Sequence, residues 1–165
     1  MDVSRYLAIY VNDHLLGAAV GLELFHRAAG GLRDPAARAE VARLAQEVQE
    51  DCDALRDVAH RLGIRVRPGL PLLGKAAERL GRLKPNGHLL RRSPLSDVVE
   101  LEALRLGVQG KEAGFRALRE VADTWDALDP AELDRLVARA RGQADVLERL
   151  RLAAAADALG AGPGR

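Results

Sequence analysis

Four long stretches of this chain repeat apolar residues at alternating spacings of three and four, the period of one face of an α-helix. The first runs from about Ser4 to Gly30 and places Leu7, Val11, His14, Ala18, Gly21, Phe25 and Ala28 on one stripe. The second, from Pro35 to Leu62, aligns Val41, Leu44, Val48, Asp51, Leu55, Val58 and Leu62. The third spans about 94–123 and carries Leu95, Val98, Val99, Leu101, Leu106, Val108 and Phe115. The fourth, 130–159, repeats Leu133, Leu136, Val137, Ala140, Ala144, Leu147 and Leu150. Their ends carry capping chemistry. Asp34, Ser93 and Asp129 each precede a proline, which suits a first helical turn because its missing N–H has no partner there anyway. Glu132 completes a reciprocal cap with Asp129, while Gly30, Gly31, Gly63 and Gly160 suit helix ends. A stripe buries itself only against other stripes, so the chain is expected to fold as an all-α four-helix bundle.

Composition agrees with one helical domain covering 1–160. Aromatic residues make up 3% of the 165, so strand formers are scarce, while 48% hydrophobic residues suffice for a core. The formal charge of +1 supplies no whole-chain field toward nucleic acid or an anionic membrane. Cys52 is the only cysteine, which excludes an intrachain disulfide and a cysteine-rich zinc cluster. Acidic Asp2, and an apolar start broken by Asn12, Asp13 and His14, are unlike a signal peptide. No uncharged apolar run reaches the roughly 20 residues that cross a bilayer. The expectation is a cytoplasmic protein.

The links between stretches set the topology. Residues 31–34 and 124–129 are short enough to make two antiparallel hairpins, each carrying an Asp-Pro-Ala tripeptide at its second helix (34–36 and 129–131). Residues 64–93 read as a long crossover punctuated by Pro68, Pro71 and Pro85, with a short helix from Leu72 to Leu83. Its basic residues, Arg65, Arg67, Lys75, Arg79, Arg82, Lys84, Arg91 and Arg92, lack interleaved aromatics and read as a solvated face. Residues 161–165 are expected to be a disordered tail.

Two hairpins joined by one crossover, together with the segments YVNDHLLG, SPLSDVVELEAL and RARGQADVLERLR, resemble the ferritin-like superfamily, in a bacterial branch lacking the usual di-iron ligand set. The resemblance implies inward carboxylates and Glu-x-x-His pairs. Glu102 matches one carboxylate position, but Asp51 and Gln143 are followed three residues later by Ala54 and Val146 rather than histidine. The one Glu-x-x-His, Glu23 to His26, lies off the stripe of the first helix and reads as an exposed pair.

Polar residues on the stripes are the remaining candidates. Folding each hairpin on its link brings His14 level with Asp51, Gln109 with Gln143, and Glu102 with Arg151. His14, Asp51, Gln109 and Gln143 are therefore expected to share a mid-bundle layer. That layer is either a buried hydrogen-bond network or a ligand site in which His14, Asp51 and Glu102 are the candidates for a metal. Glu102 and Arg151 are expected to form an ion pair. Gly17, Gly21, Gly107, Gly110 and Gly114 read as helix-packing positions, inside the bundle or across a dimer, or as the walls of a small-ligand cavity. Cys52, with no basic residue immediately beside it in the sequence, reads as a buried structural thiol.

Three functions stay open on these residues. The leading one is a non-catalytic bundle of the ferritin-like order with a protein-interaction or structural role, homodimeric, meeting an unidentified protein partner but neither nucleic acid nor membrane, and needing no cofactor. The second is a metal-binding protein or oxidoreductase with an atypical iron centre. The third is a small-ligand carrier.

Overall fold

A computed structural model describes residues 4–67 and 93–160. It is all-helical, with four long helices: α1 (Arg5–Gly31), α2 (Pro35–Arg61), α3 (Pro94–Glu120) and α4 (Pro130–Leu159). A single 3-10 turn, Ala122–Thr124, lies between α3 and α4. The third helix is shorter than its pattern predicts, because the chain tightens into that turn after Glu120. The caps follow the sequence. The side chains of Ser4, Asp34, Ser93 and Asp129 each accept a hydrogen bond from the backbone N–H two residues on. Gly63, at φ +67°, takes the left-handed conformation after α2, where a side chain would be strained.

Two cores fill the bundle. In the first, Phe25, Ala28 and Leu32 from the end of α1 meet Val41, Leu44 and Val48 from the start of α2, Leu101, Leu104 and Val108 from α3, and Ala140, Leu147 and Leu150 from α4. In the second, Val11 and Leu15 from the start of α1 meet Leu55, Val58 and Leu62 from the end of α2, Phe115 and Leu118 from α3, and Leu133 and Leu136 from α4. Thus α2 and α3 both give their first halves to the first core, while α1 and α4 give it their second halves. The first link is tied across the bundle: the Arg33 backbone N–H donates to Asp97 Oδ2 of α3 at 3.0 Å.

The inward stripe of α3 is Leu101, Leu104, Val108, Lys111, Phe115 and Leu118. Leu95, Val99 and Leu106 are exposed at 48%, 45% and 61%. The expected crossover helix 72–83, the basic residues from Lys75 to Arg92, and the tail 161–165 lie outside the described residues.

Candidate functional site

Three inward stripes each carry one polar residue at mid-bundle: Asp51 on α2, Lys111 on α3 and Gln143 on α4. Asp51 and Gln143 are each 1% exposed. Burying such groups is costly unless each is hydrogen-bonded. Asp51 meets that demand fully. Its Oδ2 accepts from Lys111 Nζ and from Gln143 Nε2 at 3.2 Å, and its Oδ1 accepts from Arg139 Nε at 2.6 Å. Gln143 turns its Oε1 to Lys111 Nζ, while its Nε2 also donates to Glu47 Oε2 at 3.1 Å. Arg139 reaches out to Glu50 at 2.8 Å. Two cations, Lys111 and Arg139, thus balance two carboxylates, Asp51 and Glu50, while Glu47 is paired with Arg43 on its own helix, so the cluster is neutral.

Burial is the largest influence on Lys111. It pushes the ammonium below the ordinary lysine range, outweighing the opposite pull of the Asp51 charge and hydrogen bond. Two of the three ammonium N–H groups are spent on Asp51 and Gln143.

Beside this cluster, between α1 and α3 and floored by α2, lies a cavity of about 300 Å³. Val11, Phe25, Val48, Leu55, Leu104 and Phe115 give it an apolar lining, and Tyr10, Asp13, His14, Asp51 and Lys111 contribute its polar groups. The cavity exists because small residues stand opposite one another: Gly17, Ala18 and Gly21 on α1 face Ala103, Gly107 and Gly110 on α3. A Cβ at Gly17, Gly21, Gly107 or Gly110 would meet no atom within 4 Å. At these four glycines no neighbouring atom requires the side chain to be missing, contrary to the packing expectation; they leave space, and Gly17, Gly107 and Gly110 are exposed where the cavity opens to solvent. Gly114 is different. A Cβ there would stand 2.6 Å from Nε2 of His14 and closer still to Cδ2, so glycine is what lets the imidazole lie on α3.

The His14 ring is held from its own helix. Nδ1 lies 3.0 Å from the Tyr10 carbonyl, which only accepts, so Nδ1 carries a hydrogen and donates it there. The Tyr10 ring packs against it with centroids 4.3 Å apart.

The expected layer is thus partly assembled. Asp51 and Gln143 meet directly, and His14 lines the same cavity as Asp51 with no hydrogen bond or ion pair joining the two. Gln109 is exposed and takes no part. Lys111 holds its place because the 3-10 turn and the turn closed by Leu128 N–H on the Trp125 carbonyl shift the α3–α4 pairing from the symmetric fold assumed for the hairpin. Lys111 was legible all the same, at three- and four-residue spacings from Val108 and Phe115. Arg139 was not, because only tertiary packing brings it to Asp51, and Glu47, one turn before Asp51 on α2, enters the cluster only by accepting from Gln143 of α4.

The expected Glu102–Arg151 pair is replaced by another. Arg151 binds Glu148 through two contacts of 2.8 Å, and Glu102, which is exposed, acts on it only through its longer-range field. Glu148 wins because it sits one turn away on the same helix, where little chain entropy is lost in pairing. Glu23, His26 and His60 are exposed. Cys52 is buried on the cavity wall, and desolvation raises its thiol, which keeps it protonated and unreactive.

A di-iron centre does not fit these residues. Among the described residues no three His, Cys, Asp or Glu side chains converge to hold a metal ion. Both Asp51 oxygens are committed to cationic and amide donors, and Glu102 stands apart from His14 and Asp51. No helix among the described residues is long and apolar enough to cross a membrane. Compared with known proteins, the chain matches no family model, no curated protein and no solved structure.

Proposed function

We propose that this chain is a small-molecule carrier or sensor: a four-helix bundle, of the ferritin-like order of helices, that holds an apolar ligand in the cavity between α1 and α3. The observation that carries this reading is the set of opposed small residues. Four glycines inside helices each cost about 0.5 to 1 kcal/mol of stability relative to alanine, and at none of them does an atom of the described residues stand where a Cβ would go. They leave an apolar cavity that ends on a largely buried lysine. The way the two cores draw on helix halves supports the ferritin-like order.

Size and charge narrow the ligand. An engineered cavity of roughly 150 Å³ takes benzene, so about 300 Å³ suits a molecule of about a dozen non-hydrogen atoms. The Asp51 cluster is already neutral, so an added carboxylate would meet Asp51 as well as Lys111. A neutral carbonyl or hydroxyl group can instead bond to the ammonium without disturbing the balance.

1-Naphthol, which is fluorescent and of this size, is a suitable probe. Saturable binding is expected in the wild type, weaker binding for 1-naphthoate, and none in Gly21→Leu or Gly107→Leu, whose side chains fill the cavity while circular dichroism shows the fold retained. Naphthol binding that survives both substitutions, or that never saturates, would overturn the reading.

A further inference from the structure

The chain spells its positive charge almost wholly with arginine. Of its 25 basic residues only Lys75, Lys84 and Lys111 are lysine, and Lys111 is the one lysine among the described residues. That choice is odd for a structural ion pair. Arginine, always charged and bidentate, is the better partner for a buried carboxylate, and Arg139 already serves Asp51 in that way. What lysine offers and arginine lacks is a primary amine that can lose a proton and use its lone pair. The lysine lies where such an amine would be useful, with 14% of its side chain exposed, at the wall of an apolar cavity and hydrogen-bonded to a carboxylate.

We infer that Lys111 is a nucleophile that condenses with the carbonyl group of an apolar aldehyde or ketone lodged in the cavity, holding it as a Schiff base. This rests on the cavity being the ligand site. The step balances without any further reactant. Asp51 Oδ2 takes one proton from the ammonium. The freed Nζ lone pair attacks the carbonyl carbon to form the C–N bond, and the carbonyl π pair moves onto oxygen, which receives a proton from the nitrogen. The proton held on Asp51 then passes to the hydroxyl, the C–O bond breaks, water leaves, and the nitrogen lone pair closes the C=N bond. The product is a protonated imine with the same single positive charge as the original ammonium. Asp51 remains its counter-ion, so the iminium and Arg139 still balance Asp51 and Glu50. Burial that favours the neutral amine lowers the cost of the first proton transfer.

The test uses the full chain and 1-naphthaldehyde, with sodium borohydride added to reduce any imine, followed by intact-mass measurement and peptide mapping. One adduct per chain is expected on Lys111, with a mass gain of the aldehyde less one oxygen, forming at least about tenfold faster than on Lys75 or Lys84. Lys111→Arg, which keeps the charge, should lose that adduct, and Gly21→Leu should slow it to the rate of the other two lysines. If 1-naphthol binds in the cavity yet Lys111 reacts no faster than Lys75 and Lys84, the nucleophile is disproved while the carrier reading stands. If neither compound is taken up, both fall.

Discussion

The imidazole of His14 on α1 occupies the space that a side chain at Gly114 on α3 would need: a Cβ there would lie 2.6 Å from Nε2. Gly114→Ala is therefore expected to destabilise the fold by about 1 to 3 kcal/mol, since the ring is held by Tyr10 on both its Nδ1 and its face and cannot simply swing away. The same substitution at Gly17 or Gly21, where a Cβ meets nothing within 4 Å, should stabilise by about 0.5 to 1 kcal/mol. Thermal melts of the three variants read the opposite signs directly. Recovery of stability in His14→Ala with Gly114→Ala would tie the loss to this contact.

Asp51 anchors two cations from two other helices. Replacing it by Asn leaves Lys111 buried with its charge uncompensated, and a cost of about 3 to 5 kcal/mol is expected in urea unfolding. Arg139 contributes less to that cost because a third of its side chain is solvent-exposed. The double substitution Asp51→Leu with Lys111→Met removes the charges together and should cost less than Asp51→Asn alone. Equal losses would mean that packing around Asp51, and not its charge, sets the penalty.

Lys111 should make stability depend on alkaline pH in a definite sense. Its folded value lies below the ordinary lysine value, about 10.4, so between the two the unfolded chain binds more protons than the folded one. Stability must then rise with pH across that window, as the penalty for a buried ammonium is relieved, and level off above it. Arginine does not titrate there. Urea midpoints of the wild type, measured against Lys111→Arg up to about pH 10.5, should therefore shift in favour of the wild type. A shift in the other direction would mean that Asp51 holds the ammonium more strongly than burial opposes it.

Much of this was written locally. Alternating three- and four-residue spacings and the caps at Asp34, Ser93 and Asp129 determine four helices, because a helix's period and its unsatisfied end groups are local properties. The same spacing singles out Asp51 and Gln143 as inward polar residues, and it would have singled out Lys111 in place of Gln109. What the sequence left open was decided between helices. Whether a glycine makes room for a neighbouring side chain or leaves a gap depends on what stands opposite: Gly114 faces an imidazole, while Gly17 and Gly21 line a cavity with small residues of α3. Arg151 could reach toward Glu102 or Glu148, and the nearer carboxylate on its own helix prevailed. Pairing across the bundle depends on the exact path of a link such as Ala122–Thr124, and a two-residue shift there replaces an exposed amide with a buried amine. The chain by itself determined the bundle and the depth of its charged layer; only the packing of α1 against α3 decided that the layer borders a cavity.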